Sequence, residues 1–477
     1  MSDSLSTGSS AYDAIIVGAG AAGLLAAHRL LRERPRARVL LADAGRALGD
    51  RQRQAGAEMG GSGGAGLYLG GRLFLGPATI PVLPQGSVPE GMRPVLAGEA
   101  YLALAREVDG IFRGYGATSE VREAPGEALA AAVEQAREAG LEYTVSYPAR
   151  LLGADERRAV LRALLADLER RGVTFSYSTR VPAVERSDGG FRVALAPLAD
   201  EQATAVIATT RALVLAPGRY GAEWLVRVMG ELSARVVELP RAFGVRIETH
   251  AEVFAPLTSV NPDPRLQLAQ ENDAVIKTYA TCPGGVVAAV ERYGRLVASG
   301  VPLPVGARGP NTTTAVLLQP GVRGSEGAWR GGDAVARALN ERGPGRLVVQ
   351  RLGDAREGRA TTAEALAANA VRPTCERVVP GALHDVYPPA YWEAFDELLG
   401  RIERLAPGLR SDDLLLYGPA EERFWYFPTD ERLQTDVAGL FVAGDGPGQS
   451  QGVIQAGVAG MMAGGGVAAY LEGQGRG

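Results

Sequence analysis

The segment from residue 277 to residue 285 carries the side chains whose types could do chemistry. Strand alternation places Lys277 and Tyr279 on one face, where an ammonium group could bind an anionic substrate. Cys282 precedes a Pro-Gly-Gly turn whose backbone N–H groups could lower the pKa of the thiol, and a thiolate could add to an electrophile. We therefore take these three side chains as candidate catalytic residues. The alternatives are a solvated surface lysine and a small buried cysteine that only packs.

Two acidic residues near opposite ends of the chain suggest a second kind of chemistry. Asp43 and Asp445 each follow a short apolar run that is typical of a buried strand. A carboxylate at the end of such a strand can accept hydrogen bonds from sugar hydroxyls, and at Asp43 it would repel a 2′-phosphate. The two acids therefore predict sugar-binding positions, for ribose at Asp43 and for a ribityl chain at Asp445.

A strand, a glycine turn and a helix position the first of these acids. The apolar run before Gly18 predicts a buried parallel strand, and an unbroken helix that includes Ala22 follows the turn. Gly18 permits the tight turn, Gly20 lets the backbone approach a pyrophosphate, and Gly23 allows close packing of helix on strand. The helix N-terminus presents unpaired N–H groups to phosphates. This pattern predicts dinucleotide binding; the alternative is a unit whose glycines only serve packing.

The second acid has a comparable setting. A predicted strand at 439–443 leads into Gly444, and a long helix begins at Gly452 and Val453. N–H groups at that helix start would face the pyrimidine edge of a flavin, where negative charge accumulates on reduction. The motif therefore predicts FAD rather than NAD. The helix is also long and uncharged enough to cross a membrane, but it follows a strand directly and lacks basic and aromatic flanks, so we predict no membrane span.

Further residues are expected to line the same site. The glycine-rich stretch 60–66, with Gly63 and Gly64, predicts a loop laid against the cofactor; the alternative is a flexible linker. Gly218 ends another buried strand in a tight turn. By analogy with other nucleotide folds, Val181 would offer its backbone to an adenine ring.

The order of predicted elements indicates an α/β protein. A Rossmann-type FAD-binding domain is assembled from three discontinuous segments, and a mostly antiparallel α+β substrate domain is inserted into it. The FAD-binding domain is predicted to comprise residues 11–95, 151–240 and 418–474. A helical insertion at 96–150 and the substrate domain at 241–417 separate these segments.

Composition narrows the class of protein. The chain has 477 residues, 46% of them hydrophobic, which allows a large core in two or three domains. A net charge of -4 argues against a nucleic-acid surface. The two cysteines are far apart, no cluster suggests a metal, and residues 1–10 lack the features of a signal peptide. We therefore expect a reduced, cytoplasmic protein without a metal site.

Several stretches together resemble a known family. These are GSGGAG (61–66), LAPGR (215–219), GVRIE (244–248), KTYATCPGG (277–285), NTTTAVLL (311–318), QRLGD (350–354) and GLFVAGDG (439–446). In this order they are similar to the uncharacterised bacterial FAD-dependent dehydrogenases within the glutathione-reductase-like flavoproteins. The resemblance implies that fold and FAD, with flavin contacts at Gly18, Gly20, Gly23, Asp43, Asp445, Gly446 and Val453.

This chain departs from the family at three positions. Members often carry arginine at Lys277, cysteine at Ala280 and glutamate at Asp445. The absence of a cysteine at 280 removes a Cys-x-Cys redox pair.

The sequence therefore predicts an FAD-dependent oxidoreductase that transfers a hydride between a small organic substrate and the flavin, as a dehydrogenase, an oxidase or an ene-reductase. NAD(P)H or oxygen would be the second substrate. One alternative is an FAD-dependent monooxygenase. An alternative of another class is a flavoprotein whose FAD is structural or senses redox state, without small-molecule turnover.

Overall fold

The computed structural model describes residues 10–51, 60–76, 98–200, 202–239, 241–261, 263–292, 294–303, 307, 309–321, 328–448 and 450–474. Among these residues the strands are β1 Ser10–Val17, β2 Val39–Ala42, β3 Arg72–Phe74, β4 Val121–Arg122, β5 Glu142–Thr144, β6 Ala149–Leu151, β7 Val173–Ser176, β8 Thr179–Arg180, β9 Val184–Ser187, β10 Gly190–Pro197, β11 Val206–Leu215, β12 Val237–Glu238, β13 Ala242–His250, β14 Arg265–Ala269, β15 Val275–Cys282, β16 Val286–Arg292, β17 Arg295–Val301, β18 Asn311–Gln319, β19 Leu347–Arg351, β20 Val378–Pro380, β21 Leu415–Glu422, β22 Trp425–Tyr426 and β23 Leu440–Val442.

The α-helices are α1 Ala21–Glu33, α2 Gly98–Gly114, α3 Gly126–Glu138, α4 Ala154–Arg170, α5 Ala222–Glu231, α6 Ala251–Thr258, α7 Ala328–Arg342, α8 Leu352–Arg356, α9 Ala363–Ala368, α10 Pro389–Ile402 and α11 Val453–Gln474. Short 3₁₀ turns cover Arg219–Gly221 and Glu271–Asp273, and a π-helix covers Gly66–Gly70.

The first sheet holds the predicted nucleotide fold. Five parallel strands lie in the order β7-β2-β1-β11-β23, and the antiparallel strand β10 pairs with the first half of β11. In β1, Ala14 and Ile16 face one core while Ile15 and Val17 face the other, and all four are buried. Burial on both faces is why the run reads as continuously apolar. The prediction of a Rossmann-type α/β unit built from separate segments is confirmed.

The two ends of the chain pack against each other through helices α1 and α11. A Cβ added at Gly460 would lie 2.1 Å from the carbonyl oxygen of Ala22, and one added at Gly464 would lie 2.4 Å from that of Ala26. The glycines therefore let the two backbones touch. Helix α11 is long and apolar enough to cross a membrane, with a mean hydropathy of 1.3, but 72% of the apolar window is buried inside the protein. It is a core helix.

The second sheet has eight strands in the order β20-β19-β21-β13-β18-β15-β14-β5. All neighbours are antiparallel except β19 and β20. Helix α10 contributes to the core on one face, and the β16-β17 hairpin contributes to the core on the other. Strand β5 comes from the segment 96–150, and β21 crosses the boundary drawn at 417. The division of the chain into domains stays a proposal.

The expectation of an irregular glycine-rich loop is wrong for its second half. Residues 64–65 are helical and continue into the π-helix Gly66–Gly70. Leu67 and Tyr68 are buried and anchor this turn, and Gly71, with a φ of +63°, ends it in the left-handed conformation. The Pro-rich stretch beyond residue 76 lies outside the described residues.

Candidate functional site

The predicted cofactor residues lie at the carboxyl ends of the parallel strands. Gly18 follows β1, Asp43 follows β2, Gly218 follows β11 and Gly444 follows β23. The strand order changes direction between β1 and β11, and ligands of open α/β sheets bind in the crevice at such a switch point. Residues from both ends of the chain therefore meet at one edge.

The three glycines of the first turn differ in what surrounds them. Gly18 has a φ of +112°, and a Cβ there would lie 2.1 Å from the carbonyl oxygen of Ala216. A Cβ at Gly23 would lie 1.8 Å from the carbonyl oxygen of Gly18. Around Gly20, by contrast, the nearest atom would be 4.0 Å away. Gly18 and Gly23 thus serve the turn and its packing, while Gly20 faces open space that a ligand could enter.

The glycine-rich segment joins this turn to the start of α11. The N–H of Gly63 donates to the carbonyl of Ala19 over 2.8 Å, and a Cβ at Gly64 would lie 3.2 Å from the Cα of Gly20. At the other end, a Cβ at Gly66 would lie 2.9 Å from a methyl group of Val453. The segment therefore lies between the two helix N-termini.

Asp43 holds the loops around the crevice together. Its Oδ2 accepts the N–H of Ala19 at 2.6 Å, and its Oδ1 accepts those of Gly45 at 2.7 Å and Gly61 at 2.8 Å. A carboxylate offers about four acceptor positions, so one remains for a hydroxyl. The sequence indicated a sugar contact at Asp43 but not this structural task.

Asp445 lies on the opposite side of the crevice and forms an ion pair. Arg219 donates Nη2 to its Oδ1 at 2.8 Å and Nε to its Oδ2 at 3.4 Å. Burial raises the pKa of the Asp445 carboxyl, and Arg219 opposes that rise. A Cβ at Gly446 would lie 3.0 Å from the carbonyl oxygen of Gly218, so the loops after β11 and β23 touch. Sequence reasoning missed Arg219, although it directly follows Gly218.

Backing for Gly444 comes from the first helix. It has a φ of +85°, and a Cβ there would lie 3.0 Å from the Cβ of Ala22. The first turn of α1 thus packs directly against the turn after β23.

A cavity of about 700 Å³ opens beside Asp43. Arg46, Arg180, Val181 and Trp224 contribute to its wall. The carbonyl of Val181 accepts the indole N–H of Trp224 over 2.8 Å, so that group is already bonded. The volume is typical of a small-molecule site, and the two arginines favour an anionic ligand.

The start of α11 carries buried polar atoms without protein partners. Among the described residues, neither Ser450 Oγ nor Gln455 Oε1 has a hydrogen-bond partner, and their residues are only 1% and 2% exposed. Gly452 between them has a φ of +110°. Buried polar atoms are almost always hydrogen-bonded, so these two atoms are consistent with a polar ligand at the helix N-terminus.

The three candidate catalytic side chains share one face of the second sheet. Lys277 pairs with Leu317, Tyr279 with Ala315 and Cys282 with Thr313 across β15 and β18. Simple alternation would place Cys282 on the face opposite to Lys277. A β-bulge, in which Ala280 has a φ of +52°, shifts the register and brings the thiol to the shared face.

Lys277 is buried, so the alternative of a solvated surface lysine is wrong. The residue is 4% exposed, and its Nζ donates to Gln319 Oε1 at 2.5 Å. Burial lowers the pKa of Lys277 to about 7, and Arg265 adds to this while Glu422 opposes it. The amine can therefore exchange a proton near neutral pH.

Tyr279 connects the second sheet to the start of α11. Its hydroxyl accepts from Gln451 Nε2 at 2.6 Å, and Gln451 Oε1 accepts from Arg265 Nη1 at 3.3 Å. Burial raises the pKa of Tyr279, so the phenol stays neutral. Gln451 and Arg265 were missed from the sequence, although Gln451 directly precedes the predicted Gly452.

The expected activation of Cys282 is wrong. The residue is 4% exposed, its thiol donates to the carbonyl of Ala280 at 3.4 Å, and Arg246 Nη2 lies 3.7 Å from the sulfur. Burial raises the pKa of the thiol more than Arg246 lowers it. Loss of hydration outweighs any turn N–H groups, so the sulfur is a thiol rather than a thiolate.

Comparison with known proteins gives only distant similarities. No family model and no curated protein matches the chain. Among solved structures, a mutant of NikD, an unusual amino acid oxidase essential for nikkomycin biosynthesis, is 13% identical, with 97% of this chain and 94% of that chain covered and a TM-score of 0.40. A flavoprotein/dehydrogenase from Cytophaga hutchinsonii is 12% identical over 97% and 79%, with a TM-score of 0.39. The FrdA subunit of E. coli quinol fumarate reductase is 14% identical over 98% and 71%, with a TM-score of 0.41. Similarities this weak carry no argument about the chemistry of this chain.

Proposed function

We propose that this protein is an FAD-dependent oxidoreductase that moves a hydride between a small organic substrate and the flavin. The observation that carries the proposal is the meeting of the two chain ends. Strands β1 and β23 flank β11, so the turn before α1 and the turn after β23 border a single crevice. A site with a helix N-terminus on each side suits an elongated dinucleotide.

The residues present fit FAD at both ends. The cavity beside Asp43 has room for an adenosine half, which favours FAD over FMN. The unpartnered Ser450 and Gln455 atoms at α11 suit the polar edge of an isoalloxazine. The residues proposed to hold the cofactor are Gly18, Gly20, Ala22, Gly23, Asp43, Gly63, Gly64, Val181, Gly218, Gly444, Asp445, Gly452 and Val453.

Bound FAD would supply hydride transfer, and the chain would supply binding, orientation and proton handling. Lys277 is the proposed proton carrier, because its Nζ is buried and its pKa of about 7 lets it take or give a proton at neutral pH. Tyr279 and Cys282 lie on the same face as Lys277 and remain candidates, the first as a neutral phenol and the second as a thiol. NAD(P)H or oxygen is the proposed second substrate.

The test begins with the purified protein. Its absorption spectrum, and chromatography of the nucleotide released on denaturation, should show FAD. A protein that is colourless and does not take up added FAD would refute the proposal. Asp445→Ala should weaken FAD binding by about tenfold or more, since a charged hydrogen-bonding group is lost from the site. Asp188→Ala, in an exposed turn, is the matched control and should bind FAD as the wild type does.

A further inference from the structure

Three side chains tie the second sheet to the N-terminus of α11. Tyr279 stands on β15, Arg265 on β14, and Gln451 two residues before the helix begins. Gln451 donates to the phenol over 2.6 Å and accepts from the guanidinium over 3.3 Å. The guanidinium carbon also lies 5.7 Å from the centre of the Tyr279 ring. We call this closed set of contacts, formed by Arg265, Tyr279 and Gln451, the clasp.

The sheet side of the clasp is well anchored. Arg265 also donates to Asp263 at 3.4 Å, and Leu266 beside it donates its backbone N–H to the buried Thr278 at 2.9 Å. Tyr279 pairs in register with Ala315 of the neighbouring strand. Both partners of Gln451 thus belong to adjacent strands that cannot shift independently.

The helix side of the clasp has a single intervening residue. Gly452 has a φ of +110°, where only glycine is comfortable, and a Cβ there would lie 2.4 Å from Gln455 Oε1. The N–H of Ala456 then closes the first helical turn on the carbonyl of Gly452 at 3.0 Å. Because this backbone geometry is narrow, the place where Gln451 is held decides where the first N–H groups of α11 point.

We propose that Arg265, Tyr279 and Gln451 are positioning residues: the clasp sets the orientation of the first turn of α11 and thereby makes the reduction potential of the bound flavin depend on the second sheet. The statement about the potential rests on the proposed function. The statement about the helix does not. N–H groups at a helix N-terminus stabilise negative charge, so a well-oriented first turn favours the reduced flavin.

Hydrogen exchange on the full-length protein without added cofactor tests the first statement. Tyr279→Phe removes the hydroxyl and keeps the ring, so it preserves packing. We expect peptides that cover the first turn of α11, including the amide of Ala456, to exchange about two- to tenfold faster, in line with one lost hydrogen bond. Tyr470→Phe, near the other end of the same helix, is the control and should leave that turn unchanged.

A double-mutant cycle and the flavin potential complete the test. Gln451→Leu should speed the same exchange, and Tyr279→Phe combined with Gln451→Leu should be no faster than the faster single variant, because one interaction is removed twice. In holoprotein, Tyr279→Phe should lower the midpoint potential of the flavin relative to Tyr470→Phe. Unchanged or additive exchange would overturn the clasp. A potential that does not move, with faster exchange, would overturn the coupling, and an inability to bind FAD would refute the proposed function alone.

Discussion

Replacing Lys277 by methionine should make the protein more stable at neutral pH. Folding lowers the pKa of this amine from its ordinary value of 10.5 to about 7. Each pKa unit corresponds to about 1.4 kcal/mol, so the buried amine destabilises the folded state by up to about 5 kcal/mol at pH 7. The substitution also leaves Gln319 Oε1 without its donor, which costs about 1–3 kcal/mol. The net expectation for Lys277→Met is about 2–4 kcal/mol of stabilisation.

The pH dependence has a definite sign. The unfolded state binds more protons than the folded state between pH 7 and pH 10.5, so the wild type gains stability relative to the variant as pH rises through this window. The advantage of Lys277→Met should be full at or below pH 7. Near pH 10.5 it should vanish, leaving only the loss at Gln319.

Urea unfolding at pH 7 and pH 10 measures this difference. Lys277 is the only lysine in the chain, so the matched control is Arg170→Met, whose side chain is 69% exposed and should change stability by less than about 0.5 kcal/mol at either pH. A variant that is less stable than the wild type at pH 7, by an amount that does not depend on pH, would refute the idea of a desolvated amine. A buried group that destabilises the fold in this way is a candidate functional group.

Other substitutions test the packing and the remaining titratable groups. Burial lowers the pKa of His28 to about 4, so the folded state should lose up to about 3 kcal/mol as pH falls from 6.5 to 4, and urea midpoints of His28→Leu should show a smaller loss over that range. Native Cys282 should resist iodoacetamide at pH 7.5 and react only after unfolding; rapid labelling seen by mass spectrometry would contradict the raised thiol pKa. Gly460→Ala should destabilise the protein by several kcal/mol in urea, because the new methyl group meets the carbonyl of Ala22, whereas Gly465→Ala has 3.8 Å of clearance and should be neutral or stabilising by up to about 1 kcal/mol; equal effects would show that α1 and α11 are not in close contact.

Local signals in the sequence were sufficient for the nucleotide fold. The apolar run of β1 predicts a strand buried on both faces, since each of its side chains must leave water whichever way it points. The spacing of Gly18, Gly20 and Gly23 predicts the turn, because the steric needs of a tight strand-to-helix turn are met within a few residues. The position of Asp445 after an apolar run likewise predicts an acid at a strand end.

Tertiary structure alone decided the electrostatics of the candidate site. Arg219 and Asp445 are 226 positions apart, and only the pairing of β23 beside β11 brings them together. The bulge at Ala280, which turns Cys282 toward the face of Lys277, leaves no periodic trace in the sequence. The pKa values of Lys277 and Cys282 depend on how completely water is excluded from them. That exclusion is a property of the whole packed sheet, so the residue types could name the candidate groups but could not determine their protonation states.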